Sequence, residues 1–314
     1  MAKLRAAAEP TRMRVLALTA YGTFCVMELT EILGQSQPRL SRHLKQLCDC
    51  GLLTRVREGA NVWFTLPPPA QDDLARGLIA RLPADDPVLE NDRRQARRVL
   101  AERARIASES FRSRGADWDE MRALGLPAAD VEAALLRLLS NKPLGRLLDV
   151  GTGTGRILEV LAPHFSAGVG IDASKAMLAL ARTRLAGTPF AHCAIRQADM
   201  YRLPEADASF DTVVLHMVLH HAEEPAKVIA EAGRVLRPGG RMLVVDLAPH
   251  PQDLITTKLA HRWPGFDGPQ MRNWLQDATL RQDDAVMIDG PITTCLWLCA
   301  RPADAASSGP TPAR

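Results

Sequence analysis

The stretch LLDVGTGTGRILEVL, residues 147–161, constrains the fold more than any other. An apolar run ends in an acid, three glycines follow at alternate positions, and apolar residues then resume at helical spacing. Gly151, Gly153 and Gly155 permit a tight turn and let the backbone approach a ligand, with a helix N-terminus beyond. Around this turn the apolar runs RLLDV, AGVGID, FDTVVLH and RMLVVDL alternate with the helical segments ASKAMLALARTRL and PAKVIAEAGRVL. From about Leu144 that alternation predicts a doubly wound α/β domain, a mostly parallel sheet flanked by helices. AVMIDGPITTCLWLCA reads as two further strands joined at Asp289-Gly290, an antiparallel hairpin at the sheet edge.

The acids around the turn narrow the ligand. A dinucleotide fingerprint, G-x-G-x-x-G, would need glycine where Arg156 stands. Here the glycines run G-x-G-x-G, and Asp149 precedes them by two. That carboxylate is unfavourable beside a pyrophosphate but suits a cationic amino-acid group. Asp172 ends the next strand, where it can accept hydrogen bonds from both ribose hydroxyls. S-adenosylmethionine, with its sulfonium, ammonium and adenosine, fits these charges.

The pattern resembles the class I S-adenosylmethionine-dependent methyltransferases across residues 144–300. DVGTGTG, GIDASKAML, RQADMYRLPEADASFDTVVLHMVLHH and RVLRPGGRMLVVDL carry the likeness. The resemblance implies a Rossmann-like sheet in which Asp149, Gly151, Gly153 and Gly155 hold the methionine part and Asp172 the ribose. It implies Asp199 at the adenine amino group and Met200 against the ring. The cofactor or effector is then S-adenosylmethionine or S-adenosylhomocysteine. Methyl transfer depends chiefly on orientation of the acceptor, so no catalytic residue follows from the motif. His216 is the candidate general base, with His220 and His221 on the next turn. His250, His261, Arg262 and Trp263 fall in a lid or substrate segment, where packing or capping explains them equally well.

The N-terminal part has a different grammar. VMELTEIL is a short amphipathic helix, Gly34 and Gln35 make a turn, and SQPRLSRHLKQL is a second helix. Its apolar stripe is Leu40, Leu44 and Leu47; Ser36 is placed as N-cap, Pro38 lies in the first turn, and Gly51 stands beyond its end. LLTRVREGANVWFTL follows as a β-hairpin turning at Glu58-Gly59. Helix, turn, helix and wing in that order describe a winged helix-turn-helix. Placed in a major groove, the second helix offers Gln37, Ser41, Arg42 and His43 to base edges. Arg39, Lys45, Arg55 and Arg57 are placed to meet phosphates. EPTRMRVLAL, FCVMELTEILGQSQPRLSRHLKQLCDCGLL and REGANVWFTL resemble the ArsR/SmtB winged-helix repressors over residues 9–66. The resemblance implies a homodimer that binds palindromic double-stranded operator DNA and responds to a ligand.

Metal-sensing members of that family carry Cys-x-Cys in the helix before the turn, whereas TFCVMEL retains Cys25 and has Met27 in the second place. One thiolate cannot supply the ligands that a soft metal requires. Cys48 and Cys50 form another Cys-x-Cys, but spacing alone is poor evidence. Cys295 and Cys299, four apart on one strand, sit roughly 13 Å from each other. No metal site is therefore expected from the cysteines.

Charge is unevenly distributed. Residues 1–66 hold 9 Lys/Arg against 5 Asp/Glu and residues 91–114 hold 8 against 3, although the whole chain is only +3. The basic excess thus lies where a polyanion is to be met. The boundaries read as 1–66 for the winged helix, 67–143 for linker and connector or dimerisation helices, 144–301 for the α/β domain and 302–314 for a disordered tail. PPPAQDD marks the first break, and residues 91–112 form an amphipathic helix with Ala96, Val99, Leu100, Ile106, Ala107 and Phe111 on one face. No apolar run approaches the roughly 20 residues that span a bilayer. Pro10, Arg12 and Arg14 interrupt any signal-peptide core, and six scattered cysteines suit a reducing cytoplasm.

The two halves together resemble bacterial ArsR-type regulators with a methyltransferase-like C-terminal domain, some thought to sense S-adenosylhomocysteine. The implied function is ligand-controlled DNA binding. The alternative is an active small-molecule methyltransferase whose helix-turn-helix serves dimerisation or autoregulation. A thiol-based metal or redox sensor using Cys25, Cys48 and Cys50 is the third reading.

Overall fold

The structure, a computed structural model, describes residues 1–58, 61–67, 73–112, 124–250 and 261–303, leaving aside the side chains of 107–112 and 188. The expected wing turn at Gly59, the PPPAQDD break, part of the connector, most of the lid segment and the tail fall outside these residues. The first elements are α1 (Ala2–Ala7), α2 (Pro10–Tyr21), β1 (Phe24–Cys25), α3 (Val26–Leu33), α4 (Gln37–Asp49), β2 (Thr54–Glu58), β3 (Asn61–Thr65), α5 (Leu74–Ile79) and α6 (Pro87–Arg112). Next come α7 (Ala128–Leu139), β4 (Arg146–Val150), α8 (Arg156–Leu161), β5 (Ala167–Asp172), α9 (Lys175–Arg184), β6 (Cys193–Gln197) and β7 (Phe210–His216). The last are α10 (Pro225–Val235), β8 (Leu236–Leu247), α11 (Gly268–Asp277), β9 (Arg281–Ile288) and β10 (Thr294–Ala300). No helix among the described residues is long and apolar enough to cross a membrane.

Two compact units emerge, Met1–Trp118 with Thr152–Gln197, and Asp119–Gly151 with Ala198–Arg314. The first does not stop at the break near Leu66, because α6 packs along α9 as well as against α2 and α3. Its winged helix is locally well specified. Glu9 caps α2 by accepting from Arg12 N at 2.9 Å, and Pro10 opens the helix. Glu28 reaches back to Cys25 N at 2.8 Å, closing the start of α3. Gly34 then ends α3 at φ +63°, a conformation that a side chain disfavours. In α4 the stripe Leu40, Leu44 and Leu47 is fully buried against Leu16, Leu29 and Leu52 in one hydrophobic core. Strands β1, β3 and β2 form a small antiparallel sheet in that order.

In α6 the buried face comprises Ala96, Val99 and Leu100, while Ile106 is 55% exposed rather than inward-facing. The next inward position is Arg103, whose guanidinium binds Glu28 at 2.6 Å and lies 4.9 Å from the Trp63 ring, while the side chains of Ala107 and Phe111 lie outside the described residues.

The larger sheet has seven strands in the order β6-β5-β4-β7-β8-β10-β9, parallel in its β5–β6, β4–β7 and β7–β8 pairs. Strand β10 runs antiparallel between β8 and β9, so the expected edge hairpin forms, with β9 starting at Arg281. This is a Rossmann-like methyltransferase sheet. Strand β6 was not legible in CAIRQ, since only Ile195 of its five residues is buried. In the second unit, Leu147, Leu148, Val213, Val214, Leu243 and Val244 are all fully buried, as central strands require.

Candidate functional site

Helix α4 presents Gln37, Arg39, Ser41, Arg42 and Lys45 to solvent. Lys45 pairs with Asp49 at 2.5 Å, but both side chains are exposed, so the pair contributes little and yields readily to a phosphate. His43 differs. It stands three residues after Leu40 and four before Leu47, the spacing of the apolar stripe itself. Its side chain is only 14% exposed, with Nδ1 3.5 Å from Glu9 Oε2. It therefore braces α4 against the start of α2 and does not extend toward a groove. In β2, Arg55 and Arg57 are exposed and Val56 between them is half-buried, the alternation a solvated wing requires.

The first strand of the wing ends in a contact that the sequence did not suggest. Glu58, the last residue of β2, is buried with Arg182 of α9. Arg182 Nη2 donates to both carboxylate oxygens, at 2.7 and 2.6 Å, and to Ile195 O at 3.2 Å. Glu58 Oε1 also accepts from Gln197 N at 2.8 Å. The Arg182 guanidinium lies 4.1 Å from the Trp63 ring centroid, and burial followed by the charge of Glu58 sets its pKa, with a net lowering. Thr183 Oγ1 donates to Leu100 O at 3.2 Å and Arg76 Nη2 to Ala191 O at 3.0 Å, so α5, α6 and the wing all grip the same α/β segment. No local pattern announced this contact, because Glu58 and Arg182 are 124 residues apart.

That segment carries three of the seven candidate cofactor-binding residues, Gly153, Gly155 and Asp172. Asp172, at the end of β5, accepts from Gly153 N at 3.0 Å and from Ser174 N at 2.7 Å. The structure thus brings the acid and the glycine turn together. Gln197 pairs with Asp172 across the β5–β6 ladder and donates from Nε2 to Ala173 O at 3.0 Å. Gly153 and Gly155 both have positive φ; a Cβ on Gly155 would press on Ala181 and Leu185, whereas one on Gly153 would meet nothing within 4 Å. Space over Gly153 is what a cradled ligand needs. In the other unit Asp149 lies buried in β4, and a Cβ on Gly151 would fall 2.3 Å from Val218. Asp199 is exposed in the turn after β6; its Oδ1 accepts from Tyr201 N at 2.9 Å, and Met200 beside it is half-buried.

His216 ends β7 half-buried. The following turn buries His220, whose Nδ1 lies 2.6 Å from Asp246 Oδ1 on β8. His221 and His261 stand beside it, so that the ligand atoms of His220, His221 and His261 lie within 4.8 Å of one another. His250 is held below its ordinary imidazole value, first by burial and then by His261 and His220. The sequence showed histidines at both places, but not that the chain folds back to join them. The cysteines are less suited to metal. Burial pushes the Cys25 and Cys48 thiols up, and Cys193 up to about 12, which disfavours the thiolate that binds metal.

Comparison with known proteins agrees with these two parts. Residues 9–55 match the model of bacterial regulatory proteins of the arsR family, and residues 148–244 match a methyltransferase domain. An uncharacterized 37.1 kDa protein in transposon TN4556 of Streptomyces fradiae is 35% identical over 188 residues, covering 54% of each chain. The ubiquinone/menaquinone biosynthesis C-methyltransferase UbiE of Geobacter sulfurreducens is 35% identical over 108 residues, 33% of this chain and 42% of that protein. The chain thus spans about half the length of these curated relatives. A solved structure from Bacillus halodurans, described as a methyltransferase, superposes on 55% of this chain and 99% of its own. Its TM-score is 0.50 and its identity 19%, a likeness of fold.

Proposed function

From an arsR-family helix-turn-helix joined in one chain to a methyltransferase domain, we propose a DNA-binding regulator whose effector is S-adenosylmethionine or S-adenosylhomocysteine. The observation that carries this reading is the burial of wing residue Glu58 against Arg182 and Gln197 N. A wing that served only DNA would have no reason to bury its last acid in the nucleoside-binding segment. Gln197 is the rung partner of Asp172, so ribose contact and wing position are separated by one strand pair. Coupling requires only that the ligand bind DNA-competent and incompetent forms unequally.

In this reading Asp172 takes the ribose hydroxyls, its carboxylate oriented by hydrogen bonds from Gly153 N and Ser174 N. Asp149 and the glycine turn hold the amino-acid end, and Asp199 with Met200 the adenine. S-adenosylmethionine, when bound, supplies a transferable methyl group on its sulfonium. On the DNA side, Gln37, Ser41 and Arg42 read bases while Arg39, Lys45, Arg55 and Arg57 meet phosphates, with a homodimer spanning a palindromic operator. An active methyltransferase is the second reading, favoured by the Asp246–His220 pair after β7, which resembles an oriented base. Selection of duplexes from a random pool, followed by calorimetry with each nucleoside, tests the proposal. Sequence-specific duplex binding together with nucleoside binding is the expected result. Recovery of no preferred duplex, with turnover of an acceptor, favours the second reading.

A further inference from the structure

Three imidazoles converge after β7 and β8, and they carry a site that neither half of the proposed function requires. His220 is fully buried, and the carboxylate beside it is already committed as an acceptor. Asp246 takes hydrogen bonds from Leu219 N at 3.0 Å and Leu247 N at 2.8 Å as well as from His220 Nδ1. With Asp246 as the acceptor, His220 Nδ1 is the donor of this pair. This is the carboxylate–histidine arrangement that orients a metal ligand and raises its basicity. His261 is buried too, and its segment is tied to His220 O by Arg262 N at 2.8 Å and Trp263 N at 3.2 Å. Trp263 Nε1 anchors the same segment to Ala222 O at 2.9 Å. The His261 ring centroid lies 4.1 Å from that of His220, and the exposed His221 ring lies 4.3 Å from His220 and 5.3 Å from His261.

We propose that His220, His221 and His261 bind a divalent transition-metal ion of the zinc type. An all-nitrogen set favours zinc, cobalt or nickel over magnesium and calcium, which need oxygen, and over ions that need thiolate. Tetrahedral zinc with nitrogen ligands at about 2.0–2.1 Å places those atoms about 3.4 Å apart. The ligand atoms now lie within 4.8 Å of one another, so binding an ion draws all three rings closer, and the exposed His221 has the most room to move. Each imidazole binds the ion in its neutral form, so the affinity falls as pH falls.

The test uses the untagged full-length chain, stripped with a chelator and titrated with Co2+ alone. One Co2+ per chain, visible tetrahedral d–d absorption and displacement by Zn2+ are expected. His221→Ala leaves the buried core intact and should weaken Co2+ binding at least ten-fold. His261→Ala should do the same, whereas the double change of Cys48 and Cys50 to Ser should leave it unaltered. Calorimetric unfolding of each variant verifies that the fold persists. Failure of the folded wild-type chain to bind Co2+ stoichiometrically overturns the proposal. So does binding that survives both histidine changes or is lost with the cysteines.

Discussion

The exposed face of α4 and the buried end of β2 belong to the same winged helix, yet they are built on opposite principles. On α4 every candidate contact except His43 is a polar side chain in water, beyond a stripe of three leucines. At the end of β2 an acid is removed from water and satisfied by an arginine and a backbone amide. The first arrangement suits a surface that must adapt to a partner. The second fixes one geometry, since a buried pair tolerates little loosening before desolvation outweighs attraction. A single small domain thus holds an exposed polar face and a rigid attachment, and in the proposed function the first meets DNA while the second carries the signal.

The largest expected effect lies at the buried end. Glu58→Ala leaves Arg182 charged and unpartnered by carboxylate, and should cost about 3–5 kcal/mol of stability in urea unfolding. Glu58→Gln with Arg182→Met should recover most of that loss, because it removes both buried charges together and leaves an amide oxygen to accept from Gln197 N. If the double variant is as unstable as Glu58→Ala, the pair is not the unit described. Next, Asp172→Ala should weaken S-adenosylhomocysteine binding by about 1.5–3 kcal/mol per lost hydrogen bond, read by calorimetry. Operator affinity without ligand should stay unchanged, which separates the pocket from the reading face.

On that face, Arg42→Ala should weaken specific binding by about 1–3 kcal/mol and relax preference at one base pair. Arg57→Ala should weaken all duplexes alike and reduce the salt slope by about 1. The smallest effect belongs to His43→Gln, for which the inward orientation predicts unchanged base preference. A shift in preferred sequence with that variant would return His43 to the groove.

What could be read from the sequence follows the range of the interactions. The strand, glycine turn and helix at 147–161, the leucine stripe of α4 and the alternation of Arg55, Val56 and Arg57 are local periodicities, and each forms as expected. The inward turn of His43 was also present in its spacing from Leu40 and Leu47, although polarity drew attention first. Strand β6 was silent because one buried residue in five gives no alternation. The Glu58–Arg182 pair and the meeting of His220 with His261 depend on distant segments folding together. Neither leaves a periodic trace.

The account rests on ligand occupancy setting operator affinity, and fluorescence anisotropy of a labelled operator titrated at saturating S-adenosylhomocysteine tests it most directly. A coupling of about 1–3 kcal/mol, several-fold to a hundred-fold in affinity, is expected for the wild-type chain. The same titration should show no response in Asp172→Ala, and an unaltered response in Cys25→Ser. Unchanged operator affinity in a chain shown by calorimetry to be saturated with the nucleoside would contradict it.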